Sequence, residues 1–234
     1  MEALSRAQAN SRFLSQLIER QPALVALIKK GDFDAALSAA LATQIEGNPG
    51  ATLRKQRQGV ALVTAIADLS GDWDLTKVTR VLSDFADAAL DIAIAAAIEE
   101  RVPGAEPDGF AVIGLGKHGG QELNYSSDID PIFLYDPETL PRREREDVAD
   151  SAVRVGRRVI ELLSERTEHG YVFRVDMRLR PSPEVTPIAI QVDAAISYYE
   201  SSALAWEQAA FIRARAAAGD KALGDYFLKS IQPF

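Results

Sequence analysis

The sequence predicts an α+β fold, with a helical N-terminal domain at residues 1–102 and a second domain at residues 103–234 that contains a small mixed sheet. Two observations support this division. In the first part, apolar residues recur at the spacing of amphipathic helices, and in the second, short apolar runs typical of buried strands alternate with helical segments. Between them, residues 103–109 contain two prolines and two glycines, which is typical of a linker.

Apolar residues at helical spacing predict several helices before residue 102. The pattern is clearest at residues 13–18, 24–28 and 81–92, and Pro22, Gly31, the cluster at 47–50 and Gly71 separate these segments. After the linker, three strands and three helices are expected. The strands are residues 110–116 (FAVIGLG), 128–135 (DIDPIFLY) and 171–179 (YVFRVDMRL), and the helices are residues 143–165, 194–199 and 204–216.

Composition excludes several classes of protein. The chain has 234 residues, enough for one large or two small domains with a core. It has no cysteine, so disulfide scaffolds, cysteine–zinc sites and cysteine nucleophiles are excluded. His118 and His169 are the two histidines, so a histidine-rich zinc site is not expected. The net charge of −8 differs from the basic stripe of a general nucleic-acid binder, and we expect no nucleic-acid partner.

The sequence also predicts a cytoplasmic protein without a membrane partner. The longest alanine-rich apolar stretch, at residues 86–98, is interrupted by Asp87 and Asp91. It is shorter than the roughly 20 apolar residues that a transmembrane helix needs. The N-terminus shows no basic segment followed by an apolar one, so no signal peptide is expected.

Three aspartates are the candidate metal ligands. Asp128 and Asp130 start a predicted strand, where alternate residues point to the same face. Two adjacent carboxylates repel each other, and a divalent cation between them removes that cost. Asp176 lies on the polar face of the third predicted strand, between Arg174 and Arg178. We therefore predict that these aspartates are catalytic and bind Mg²⁺ or Mn²⁺ in a two-metal site for phosphoryl transfer.

Phosphate binding is predicted around the same acids. Gly119 and Gly120 permit close approach to the backbone, whose N–H groups can hold a phosphate. Ser126 and Ser127 add hydroxyl donors, whereas His118 is expected to be a polar loop residue. Arg178 and Arg180 are the guanidinium groups expected to neutralise phosphate charge.

A glycine pattern in the same region offers a competing interpretation. Gly114, Gly116 and Gly119 match the dinucleotide-binding fingerprint, and Asp136 ends the next predicted strand. However, only residues 120–127 separate the third glycine from that strand, and a parallel crossover needs a dozen residues or more. This spacing argues against a nicotinamide-dependent enzyme. The Asp-x-Asp pattern alone is a weak signal of a metal site. It becomes specific through the order of the predicted elements: a strand, a Gly-Gly turn, the paired aspartates on a strand, a helix, and an aspartate within an arginine-rich strand.

Three blocks carry a family resemblance. They are GLGKHGGQELNYSSDIDPIFLY at residues 114–135, FRVDMRLRP at 173–181 and WEQAAFIRAR at 206–215. Together they resemble glutamine synthetase adenylyltransferase, a family of the DNA polymerase β-like nucleotidyltransferase superfamily. Three features depart from the family pattern: Pro131 replaces an aliphatic residue, residues 181–187 lack the expected glycines, and Arg213 stands where lysine is common.

The resemblance implies a bifunctional enzyme with two related halves. One half attaches AMP from ATP to a tyrosine of glutamine synthetase, and the other removes it by phosphorolysis, which consumes phosphate and releases ADP. Implied partners are glutamine synthetase, ADP or ATP, phosphate and a PII-type nitrogen signalling protein. The helical prefix and the methionine of FRVDMRLRP resemble the deadenylylating half, and the chain is expected to be an N-terminal fragment. The adenylylating half, a non-catalytic docking module and a nucleotidyltransferase acting on another substrate remain alternatives.

Overall fold

Helices occupy most of the first hundred residues in the computed structural model, which describes residues 2–232. The two longest begin at side-chain caps: Asn48 accepts a hydrogen bond from the amide of Ala51, and Asp74 accepts one from the amide of Lys77. Between them, Gly71 ends the first of the pair in a left-handed conformation with φ of 78°. These six helices are α1 (Glu2–Asn10), α2 (Arg12–Arg20), α3 (Pro22–Lys29), α4 (Phe33–Leu41), α5 (Pro49–Ser70) and α6 (Leu75–Glu99).

A four-stranded mixed sheet follows, in the order β3-β2-β1-β4. The central strand β1 is antiparallel to both β2 and β4, whereas β3 is parallel to β2. The strands are β1 (Phe110–Gly114), β2 (Pro131–Tyr135), β3 (Ala189–Gln191) and β4 (Arg215–Gly219). This mixed sheet, together with the helices, confirms the predicted α+β fold class.

Five helices accompany the sheet. They are α7 (Gly116–Gly119), α8 (Val148–Ser164), α9 (Val192–Ser201), α10 (Ala205–Ala210) and α11 (Lys221–Ile231), and a 3₁₀ turn at Phe211–Arg213 follows α10. None of the helices in residues 2–232 is long and apolar enough to cross a membrane.

The two faces of the sheet are buried against different helices. In β1, Phe110 and Val112 join the hydrophobic cluster that includes α5, α6 and α8, whereas Ala111 and Ile113 join a second cluster with α9 and α11. This alternation is the period of two expected of a strand. The first cluster extends without interruption from α1 to the sheet. The hydrophobic core thus crosses residue 102, and the division of the chain into two domains at that residue remains a prediction.

Two predicted elements differ in the structure. Residues 171–179 do not form a strand; Val175 alone makes an isolated parallel bridge, with Ile129. The segment leaves the extended conformation because Asp176 accepts the backbone N–H of Arg178 in a local turn. The helix predicted at 204–216 ends at Ala210, since Arg215 and the residues after it pair with β1. The strand predicted to start at Asp128 starts at Pro131.

Candidate active site

The Asp128-Ile129-Asp130 segment lies beside Val175 and Asp176. The N–H of Ile129 donates to the carbonyl of Arg174 at 3.0 Å, and the N–H of Asp176 donates to the carbonyl of Ile129 at 2.9 Å. Ile129 is fully buried, so its side chain points into the core. The neighbouring residues in an extended segment point the other way. Asp128, Asp130 and Asp176 are therefore brought to one side of this parallel pairing.

The three carboxylates are in unlike electrostatic environments. Burial, followed by the negative charges of Asp176 and Asp128, raises the pKa of Asp130, and the nearby His118 and Arg178 only partly oppose this. In contrast, the hydrogen bond from Arg178 holds the pKa of Asp176 below its ordinary value. The repulsion at Asp130 marks the place where a cation would be most stabilising.

Two arginines pair with the outer carboxylates. Arg174 forms an ion pair with Asp128 and also donates to the Tyr171 hydroxyl at 2.9 Å and to the carbonyl of Ser126. Arg178 donates from Nε to both carboxylate oxygens of Asp176 at 2.9 Å, and its side chain is 85% exposed. A side chain this exposed can turn from a carboxylate to a phosphate at little cost in packing.

The three carboxylates suit a hard divalent cation for two reasons. They offer oxygen ligands, and the backbone brings them to one side of the pairing between Ile129 and Val175. Carboxylate oxygens are the ligands that magnesium prefers. In residues 2–232, however, no three acidic or histidine side chains are arranged to hold a metal ion as they stand. Asp128 and Asp176 are instead paired with Arg174 and Arg178. The metal-binding role of the three aspartates remains a prediction.

The glycine turn lies directly against the acids. Gly116 has a φ of 54°, and a Cβ built on it would lie 3.1 Å from Asp130 Oδ2. A Cβ on Gly119 would lie 2.2 Å from the carbonyl oxygen of Arg213 and 2.5 Å from that of Gly114. Gly120 is less restricted, because its Cβ would first meet the flexible side chain of Arg213, at 3.1 Å. Only Gly119 is therefore enclosed by backbone on two sides.

The other predicted phosphate ligands, Ser126, Ser127 and Arg180, take part in hydrogen bonds within the protein. The Ser127 hydroxyl donates to the Asn124 side chain and accepts from the Asn124 amide, so it stabilises its own turn. Ser126 directs its carbonyl to Arg174. Arg180 donates to the carbonyls of Met177 and Pro183, which organises the loop after it rather than the acid cluster. The phosphate-binding role of these residues stays a prediction that the contacts of Arg180 and Ser127 do not favour.

A buried polar network behind the glycine turn was not expected from the sequence. His118 is fully buried rather than a polar loop residue, and its Nε2 lies 2.7 Å from Asp87 Oδ1 on α6. Arg215 donates to both oxygens of Asp87, at 2.6 and 2.8 Å, and to the carbonyl of His118 at 3.2 Å. Burial alone raises the pKa of Asp87, but these hydrogen bonds outweigh it and hold the pKa below its ordinary value.

The dinucleotide-binding alternative does not fit the fold. β1 and β2 are antiparallel, so no parallel crossover follows Gly119. Asp136 accepts hydrogen bonds from Glu138 and Thr139 and stabilises a local turn.

An acid pair beside a glycine turn, with a third acid on the adjoining segment, defines a nucleotidyltransferase-like domain on this mixed sheet. The sequence profile of the glutamate-ammonia ligase adenylyltransferase family matches residues 1–230, and the chain belongs to this family.

Three curated relatives share one name. The chain is 43% identical to a bifunctional glutamine synthetase adenylyltransferase/adenylyl-removing enzyme of Caulobacter vibrioides, over 99% of the chain and 25% of that protein. It is 40% identical to the protein of that name from Xanthobacter autotrophicus, over 96% of the chain and 24% of the relative. A third, from Rhizobium meliloti, is 45% identical over 78% of the chain and 20% of the relative. The chain thus spans about a quarter or less of the length of these curated relatives.

Proposed function

We propose that this chain supplies the active site that removes AMP from adenylylated glutamine synthetase by phosphorolysis, a step that regulates nitrogen assimilation. The observation that carries this proposal is the position of Asp130. Its carboxylate is close enough to Asp128 and Asp176 for their negative charges to raise its pKa, and it lies beside the backbone of Gly116. Phosphoryl-transfer sites need such a concentration of negative charge to hold cations, together with a backbone surface that admits phosphate.

The reaction exchanges one phosphorus–oxygen bond for another. An oxygen of hydrogen phosphate attacks the phosphorus of the AMP group, and the bond from that phosphorus to the tyrosine oxygen breaks. ADP forms, and the proton of the hydrogen phosphate ends on the tyrosine oxygen. Both reacting groups are anionic, so positive charge must offset the charge that accumulates between them.

Each proposed role follows from the position of a residue. Asp128, Asp130 and Asp176 would hold Mg²⁺ or Mn²⁺, which supplies positive charge and orients the phosphates when it is bound. Arg178 is exposed beside Asp176, and it would contact the attacking phosphate. The backbone of α7 at Gly116–Gly119 would border the phosphate groups of the nucleotide.

The proposed direction rests on the sequence. The segment FRVDMRLRP and the long helical prefix resemble the deadenylylating half of the family. The names of the relatives include both activities, so the adenylylating direction is the second candidate. A PII-type signalling protein is a further proposed partner.

A direct assay separates these possibilities. The chain is incubated with adenylylated glutamine synthetase, magnesium and phosphate, and ADP is measured, with Asp130→Asn as the inactive control. ADP formation that needs phosphate and Asp130 would support the proposal. Transfer of AMP from ATP to unmodified glutamine synthetase, without dependence on phosphate, would instead establish the adenylylating direction. Absence of both products would indicate a docking role.

A further inference from the structure

A cavity lies between the helical part of the chain and the loops next to the acid cluster. Its volume is about 600 Å³, and its walls come from α2, from α5 and from the loops at residues 125–126 and 169–171. This volume is in the range of small-molecule sites, roughly 300–1,000 Å³.

The cavity contains a guanidinium group that lacks an anionic partner. Arg57 is half-buried and donates from Nη2 to the carbonyl of Tyr125 at 2.9 Å. Its guanidinium carbon lies 5.7 Å from the centre of the Phe173 ring. In the part of the chain that the structure describes, no carboxylate pairs with Arg57. Burial lowers its pKa, although the nearby Tyr171 opposes this. A ligand with acceptor atoms or an aromatic face would offset the cost of this half-buried charge.

The remaining walls suit a flat, partly apolar ligand. Aromatic and aliphatic side chains cover much of the surface, and Phe13 is 54% exposed although it is a large apolar residue. Polar groups lie among them and are paired with one another: the Tyr125 hydroxyl donates to Asp68 at 2.8 Å, and the Gln58 amide donates to the carbonyl of His169 at 3.0 Å. Stacking surfaces with a few polar groups are typical of sites for planar heterocycles.

One side chain connects this cavity to the acid cluster. Arg174 donates to the hydroxyl of Tyr171 and to the carbonyl of Ser126, and both residues line the cavity. The same guanidinium pairs with Asp128. A ligand in the cavity therefore lies one side chain away from the proposed site of phosphoryl transfer.

We propose that this cavity binds the nucleoside part of the adenine nucleotide, with the base on the aromatic walls and near Arg57. This inference rests on the proposed function, which places the AMP phosphorus at the acids. Adenine offers ring-nitrogen acceptors and a π face to a guanidinium, and its amino group can donate to Asp68 or to backbone carbonyls. The tyrosine-bearing segment of a folded protein is less well suited, because a phenol ring offers Arg57 no ring-nitrogen acceptors.

The test measures binding of adenosine and of ADP to the whole chain by calorimetry, with and without magnesium. Arg57→Met keeps the apolar stem and removes the charge, whereas Ala65→Trp fills the cavity from α5. The matched controls are Arg157→Met on α8 and Ala88→Trp on α6, because both residues are exposed and lie outside the cavity. Circular dichroism and thermal melting of every variant verify that the fold is retained.

We expect the parent chain to bind adenosine without magnesium, since adenosine has no phosphate. Arg57→Met and Ala65→Trp should each weaken this binding about tenfold or more, as loss of a charged contact does, and the controls should not. Adenosine and ADP binding that is equal in all variants would overturn this inference and leave the proposed function standing. Displacement by N-acetyltyrosinamide in place of adenosine would also overturn it, in favour of a tyrosine site. Failure of the parent chain to bind either adenosine or ADP would overturn both.

Discussion

The Nε2 atom of His118 lies 2.7 Å from Asp87 Oδ1, a contact that joins the glycine turn to the helical part of the chain. Arg215, the first residue of β4, completes the network. The turn that borders Asp130 is thus held from behind by a helix that sequence alone assigns to another domain. We infer that Asp87 is a positioning residue, which acts through His118 rather than by touching substrate.

Asp87→Asn should destabilise the fold by about 2 kcal/mol at neutral pH, because it leaves the half-buried guanidinium of Arg215 without its counter-charge. The pKa of Asp87 is lowered in the folded state, so its contribution is complete above the ordinary aspartate pKa of about 3.9 and is lost as pH falls through the lower, folded value. Urea unfolding of parent and variant between pH 7 and pH 3 measures this. The difference should shrink only in the acid part of the range, and a constant difference would contradict the assignment. Asp84→Asn, one turn earlier and exposed, is the control.

Asp130→Asn should stabilise the protein in the absence of metal. Burial and the two neighbouring carboxylates raise the pKa of Asp130, so its ionised form costs stability at neutral pH, and this cost disappears as pH falls through the raised value. Thermal melting with and without magnesium or manganese tests both parts of the argument. The parent should gain stability from metal, whereas Asp130→Asn and the double variant Asp128→Asn/Asp130→Asn should not. An equal metal response in parent and variants would refute the metal site, and Asp193→Asn is an exposed control.

Arg178→Ala should raise the KM for phosphate about tenfold, the effect of losing one charge-assisted hydrogen bond. Metal-dependent stabilisation should persist, because the three carboxylates remain. Arg178 is largely exposed, so its loss should change the stability of the fold little. If Arg178 only shapes the turn through Asp176, stability will fall and the KM for phosphate will not change. Arg157→Ala removes a charge from an exposed position on α8 and serves as the control.

Gly119→Ala and Gly120→Ala form a matched pair at adjacent positions. The first places a Cβ 2.2 Å from a backbone oxygen, so the turn must move, at a cost of about 3 kcal/mol or more. The second meets the flexible side chain of Arg213 at 3.1 Å and the carbonyl oxygen of Gly116 only at an ordinary contact distance of 3.5 Å, so it should cost less than about 1 kcal/mol. Denaturant unfolding compares the two, and equal losses would show that the turn does not depend on this close approach.

Local patterns were sufficient to predict where the acids gather. Asp128 and Asp130 are two residues apart, so an extended backbone alone places them on one side, and Asp176 was recognised from the alternation around it. The alternation did not make a strand, however, because Asp176 bonds to Arg178 within its own segment and only Val175 pairs with Ile129. The alternation around Asp176 therefore predicts a strand wrongly, whereas the shared metal site of the three aspartates stays a prediction.

Long-range contacts explain what the sequence did not reveal. Asp87 was recognised only as an interruption of an apolar stretch, since nothing local indicates a partner 31 residues later in His118. Residues 215–219 (RAAAG) are alanine-rich and favour a helix by propensity. They form β4 because β1 offers an open edge, and tertiary pairing outweighs the helix propensity of alanine.

The hydrophobic cluster that runs from α1 to the sheet also bears on how the chain can be divided for experiments. Cutting the chain at the linker would expose one face of the sheet, including Phe110, Val112 and Phe133, to water. Each of these side chains contributes roughly 1.5–3 kcal/mol when buried. Residues 103–234 expressed alone should therefore aggregate, whereas the whole chain should melt in one cooperative transition. In calorimetry, this means equal calorimetric and van 't Hoff enthalpies. The N-terminal helices would thus keep the sheet and its helices soluble, because they cover its apolar face.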